Sequence, residues 1–92
     1  MNEVFYSSRV KDPIIQDEVH LMEKGVNFKV KKLFGGSENF VFYHDIAGVE
    51  IDKGLFFASI RIKARAREHE IVIENFTRSD ADRIKQLVLE RV

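Results

Sequence analysis

A β-rich domain closed by a single C-terminal helix is the fold class that the sequence predicts, and three observations predict it. Residues 55–66 carry the clearest alternation of apolar and polar side chains in the chain, unbroken from Ala58 on, the mark of a half-buried strand. Shorter alternating runs precede it, separated by Glu23-Lys24-Gly25, Gly35-Gly36-Ser37 and Asp52-Lys53-Gly54, all of them turn chemistry. From Thr77 to Val92 the apolar spacing changes to that of a helix.

Val4-Phe5-Tyr6 reads as a first strand that fades by Val10. Lys11-Asp12-Pro13 ends it, because proline has no N–H to donate and pushes its predecessor out of helical geometry. Residues 14–22 admit two readings. A helix with Pro13 in its first turn aligns Ile15, Val19 and Met22 on one face. A strand instead uses Val19 and Leu21 as inward neighbours and stops at the Glu23-Lys24-Gly25 turn. The strand is preferred, since Val26, Phe28 and Val30 resume a period of two directly after Gly25 and make a hairpin of residues 18–33.

Asn39 to Tyr43 follows as an aromatic strand with apolar residues on both faces, which suits a strand covered twice or engaged in a contact. Ile46 to Asp52 is the next strand, with Val49 and Ile51 inward and a tight turn behind it whose Gly54 takes a left-handed conformation. In the long strand, Phe56, Ala58, Ile60, Ile62, Ala64 and Ala66 share the inward face. Phe57, Ser59, Arg61, Lys63, Arg65 and Arg67 share the outward one. Residues 70–76 close the series through Ile71 and Ile73.

Thr77 has the chemistry of an N-cap, Asp80 suits the positive end of the helix dipole, and Phe76 can staple onto Ala81. The apolar stripe runs through Ala81, Ile84, Val88 and Val92, widened by Leu87 and Leu89. Such a helix is a lid for sheets.

Ninety-two residues make one domain, 1–92, and a 45% hydrophobic share that includes eight Phe supplies a core for it. Without cysteine there is neither a disulfide framework nor a thiolate metal site. Fifteen basic residues cancel fifteen acidic ones, which argues against nucleic acid as a partner, since that affinity comes from neutralising phosphates. No stretch near the N-terminus joins basic residues to an apolar run. The longest apolar run, Leu55-Phe56-Phe57-Ala58, is far below the roughly 20 residues that span a bilayer. A cytoplasmic protein is expected.

The stretch Phe42-Tyr43-His44-Asp45-Ile46-Ala47-Gly48-Val49-Glu50, followed by Lys53-Gly54-Leu55-Phe56-Phe57-Ala58-Ser59-Ile60, resembles the bacterial pleckstrin-homology (PH)-like families. The likeness covers about residues 38–92. It implies a PH-like barrel or sandwich of about seven antiparallel strands, strongly bent and capped at one open end by the C-terminal helix. It also implies a binding or assembly module with no enzymatic activity and no cofactor. Relatives that bind phosphoinositides carry a Lys and a Lys/Arg-x-Arg pair around the first hairpin loop. Here Lys11 precedes the break, and no basic pair follows until Lys29 and Lys31.

The residues themselves offer no catalytic or metal constellation. His20, His44 and His69 share no ligand spacing, and the adjacent His44 and Asp45 would point to opposite faces of a strand. No serine lies in a nucleophile motif, and Gly35-Gly36-Ser37 lacks the lysine that completes a phosphate loop. Two surface features remain. Arg61, Lys63, Arg65 and Arg67 form a basic ladder, and with Lys29 and Lys31 they could hold an anionic lipid headgroup if their strands share a sheet. The other reading neutralises them across strands with Glu50, Asp52, Glu70 and Glu74. Phe40, Phe42, Tyr43, Phe56 and Phe57 cannot all enter one small core if alternation holds. Tyr43 and Phe57 are the outward candidates for an interface, unless bending or a bulge gives every aromatic a core role. The partner expected is a second copy of the chain or another protein, with an anionic membrane as the alternative.

Overall fold

The computed structural model describes residues 2–8, 15–32, 34–65 and 67–92. Strands β1 (Glu3–Tyr6), β2 (Glu18–Leu21), β3 (Gly25–Lys31) and β4 (Gly36–Phe42) form one antiparallel sheet in chain order. Strands β5 (Ile46–Lys53), β6 (Phe57–Ala64) and β7 (Ile71–Thr77) form a second. A 3-10 turn, Tyr43–Asp45, joins the two, and helix α1 (Arg78–Arg91) ends the fold. The sheets stay separate, so of barrel and sandwich the second is found. The strand reading for β2 is the one realised, over Glu18–Leu21. Expectations for Val10, Lys11-Asp12-Pro13, Ile14, Leu33 and Ala66 fall outside the described residues.

The inward faces interlock as alternation demands. Val19, Leu21, Val26, Phe28 and Val41 come from the first sheet, and Ala58, Ile60, Ile62, Ile71 and Ile73 from the second; all are buried. Two bulges break the period. Between β5 and β6 the register slips between Ile46 and Gly48, so Ile46 and Val49, three residues apart, are both buried. On β7, Ile73 faces Ile60 while Phe76 faces Ala58, which inserts one residue and buries both Ile73 and Phe76. Asn75 occupies the insertion at φ 68°, a left-handed conformation that Asn tolerates better than most residues. Its carbonyl accepts a 2.7 Å hydrogen bond from the Ser8 amide.

The turn after β5 lies later than its composition suggests. The Gly54 amide donates to the Phe57 carbonyl at 2.7 Å, and β6 begins only at Phe57. Gly54 is not left-handed; among the described glycines, positive φ belongs to Gly35 and Gly36. Phe56 is therefore on the turn and 72% exposed rather than inward.

Thr77 caps α1, its hydroxyl accepting from the Asp80 amide at 3.2 Å. Phe76 and Ala81 are both fully buried, as a staple requires. Ala81, Ile84, Leu87 and Val88 face the second sheet. Leu89 and Val92, expected in the stripe, are exposed. Leu89 is turned about 100° from Val88, and Val92 lies past the last turn as the C-cap. Among the described residues no helix is long and apolar enough to cross a membrane.

Candidate functional site

The outer face of the first sheet carries the largest group of exposed apolar side chains on the strands. Pairing aligns Val4, His20, Asn27 and Phe40 in one row and Tyr6, Glu18, Lys29 and Glu38 in the next, with Gly25 opposite Phe42. Val4, Tyr6 and Met22 are exposed, as are Phe40 and Phe42 at 41% and 44%. The Phe40 and Phe42 rings meet edge to face at 5.1 Å, and Phe42 stacks on His44 at 5.5 Å. A Cβ on Gly25 would lie 2.7 Å from Phe40 Cζ. The absence of a side chain there is what lets the ring lie over β3. A hollow of about 360 Å³ opens beside it, lined by Asn2, Met22, Glu23, Lys24 and Phe40.

A polar cluster occupies the middle of the same face. Glu18 is 7% exposed, lies 2.7 Å from His20 Nε2 and is ion-paired to Lys31 Nζ. The hydrogen bond from Lys31 holds the Glu18 carboxyl below its ordinary pKa, against the opposing effect of burial. Asn27 Nδ2 donates to Glu38 at 2.5 Å. Because Glu18 is more acidic folded than unfolded, its ion pair with Lys31 contributes stability in full above the unfolded value of about 4.3. That contribution disappears as pH falls through the lowered folded value. The difference in urea midpoint between the wild type and Glu18→Gln should therefore be constant above pH about 5 and shrink below it. Glu18→Gln should have the lower midpoint near neutrality.

The basic ladder does not form one patch. Lys29 and Lys31 stand on β3, in a different sheet from Arg61 and Lys63 on β6. Arg61 lies 2.6 Å from Glu50, 2.7 Å from Asp52 and 3.7 Å from Glu70. Asp52 above all raises its pKa further. Lys63 shares Glu50 at 3.6 Å. Arg65 and Arg67, expected on the strand, lie beyond its end at Ala64. Arg65 Nε donates to the His44 carbonyl at 3.1 Å, and Arg67 reaches the Asn39 side chain at 3.2 Å. These guanidinium groups tie the corner after β6 to the middle of β4 and to the 3-10 turn that follows it.

Tyr43 is not outward. It is 6% exposed, its hydroxyl donates to the Met22 carbonyl at 2.5 Å, and burial raises its pKa. Burial alternates from Val41 through Phe42 to Tyr43, so Tyr43 keeps the inward face of Val41 as the chain enters the 3-10 turn. Phe57 opens β6 opposite Thr77 and is half-buried. The aromatic pair that reaches solvent on a strand face is Phe40 and Phe42. The signal for it was present: a strand that sends Val41 inward sends its two neighbours outward. Among the described residues no group of three or more His, Asp or Glu is placed to hold a metal ion.

A family model described as bacterial PH domain matches residues 21–90. No curated protein and no solved structure matches the chain. The match runs from the end of β2 to the last turn of α1 and takes in β3 and β4 of the first sheet, the whole of the second and nearly all of the closing helix. Modules of this kind bind and are generally not catalytic. The chain belongs to the bacterial PH domain family.

Proposed function

We propose that the protein is a non-catalytic module that works by protein contact, first of all with a second copy of itself, through the outer face of the β1–β4 sheet. The observation that carries this reading is the exposed Phe40 and Phe42 pair, with Met22 beside it and Val4 and Tyr6 toward the opposite edge. Aromatics and Met are the residues enriched at the centre of interfaces. Tyr43 supports the surface from beneath by anchoring the turn behind Phe42 to the β2–β3 connection. Phe57 lies in the other sheet and has no part in that patch.

An anionic surface has less support. The six basic residues divide between sheets and the corner, and Lys31, Arg61 and Lys63 are paired to carboxylates of this chain. Light scattering coupled to size exclusion tests the preferred reading. A defined oligomer is expected to persist at high salt, because the contact is apolar. Phe40→Ser with Phe42→Ser should shift it to monomer while the circular dichroism and the melting temperature stay near the wild type. A wild-type monomer throughout the micromolar range would remove the proposal.

A further inference from the structure

Four strands border the two sheets, and three of their edges are guarded against pairing with another chain. β1 is only four residues long. β5 carries a bulge near Ile46, followed by Glu50, Asp52 and Lys53. β7 carries the Asn75 bulge, and the carbonyl of that residue is already taken by Ser8. Short edges, bulges and charges are the usual defences. β4 is neither short nor bulged. It pairs with β3 through seven successive residues without a register shift, and it contains no Lys, Arg or Pro. Its one charged residue, Glu38, is held by Asn27. Among the described residues, no backbone group of β4 bonds to anything beyond β3. Arg67 approaches only the side chain of Asn39.

We infer that β4 pairs antiparallel with β4 of a second copy, joining two four-stranded sheets into one across a two-fold axis. This rests on the self-association proposed above and narrows its contact to the β4 side of that face, where Phe40 and Phe42 lie, leaving Val4 and Tyr6 on β1 outside it. Two identical edges are self-complementary in the antiparallel sense alone, and such a contact closes at two subunits. Residues facing each other across the axis must share a sheet face. Phe40 therefore meets Phe40 or Phe42 of the other copy when the axis passes near Phe40 or Val41. The two edge-to-face aromatic pairs then merge into one cluster on the outer face. With the axis there, each Glu38 carboxylate stays away from its counterpart.

The absence of cysteine makes the test direct. Ser37→Cys, Glu38→Cys and Asn39→Cys, made singly in the full chain, each carry one nitroxide, and pulsed electron resonance reads the distance between copies. The distance should fall by about 7 Å per residue from 37 to 39, twice the strand rise, because both copies advance toward the axis together. An oligomer whose distances stay level or grow along this series overturns the edge pairing and leaves self-association standing. A monomer overturns both.

Discussion

Gly25→Val is expected to cost about 3 kcal/mol of stability, the upper part of the range for overpacking a closed site. At Gly25 an added Cβ would sit 2.4 Å from the Val41 carbonyl oxygen, 2.7 Å from Phe40 Cζ and 2.9 Å from Phe42 Cα. Two of those atoms are backbone of the neighbouring strand and cannot rotate away. The strand must therefore move off, and the pairing of Gly25 with Phe42 at the end of the hairpin is lost with it. Domains of this size have about 5–15 kcal/mol in all, so the variant should stay folded but lose roughly a fifth to three-fifths of its stability. Urea denaturation measures the loss, and hydrogen exchange locates it, with protection failing first on β4. A variant with wild-type protection there would show that the close approach at Gly25 is not a constraint.

Phe76→Ala should cost about 3–5 kcal/mol, the range for truncating a buried phenylalanine. Phe76 is fully buried at the junction of three parts: it faces Ala58 across β6, follows the Asn75 bulge and packs one step before the cap of α1. Removing the ring leaves a cavity between sheet and helix that the bulge cannot close, since Asn75 is tied to Ser8. The helix should fray from its N-terminus, and thermal unfolding followed by far-ultraviolet circular dichroism should begin with loss of helical signal. Phe76→Leu, which refills much of the volume, should recover more than half of the loss.

What the sequence made legible was local. Ile60 and Ile62 follow a strict period of two, and Thr77 with Asp80 announces a helix start within one turn; the structure has both as expected. Departures occur where the pattern is ambiguous or the chain changes period. Tyr43 keeps the period of Val41 and is buried with it, but Phe40, Val41, Phe42 and Tyr43 are apolar on both faces, so alternation does not say which face is inward. Phe56 was counted into a strand that begins one residue later, because a Gly54–Phe57 turn and a shorter Asp52–Gly54 turn have the same composition. Leu89 and Val92 are apolar at helical spacing, yet only one face of α1 meets a sheet. The basic residues are divided for a different reason. Spacing says which face of a strand a lysine occupies, not which sheet contains the strand, and Lys31 and Arg61 prove to lie in different sheets, each already paired.

Neutralisation of Arg61 by Glu50, Asp52 and Glu70 within its own sheet also sets a tempo. With formal charges that sum to zero and the cations of β6 compensated a few ångströms away, the molecule projects little field beyond its own hydration shell. The self-association proposed here would then be unsteered, with a rate of about 10⁵–10⁶ M⁻¹s⁻¹ as for neutral surfaces. How long two molecules remain together is left to the fit of the surfaces that meet.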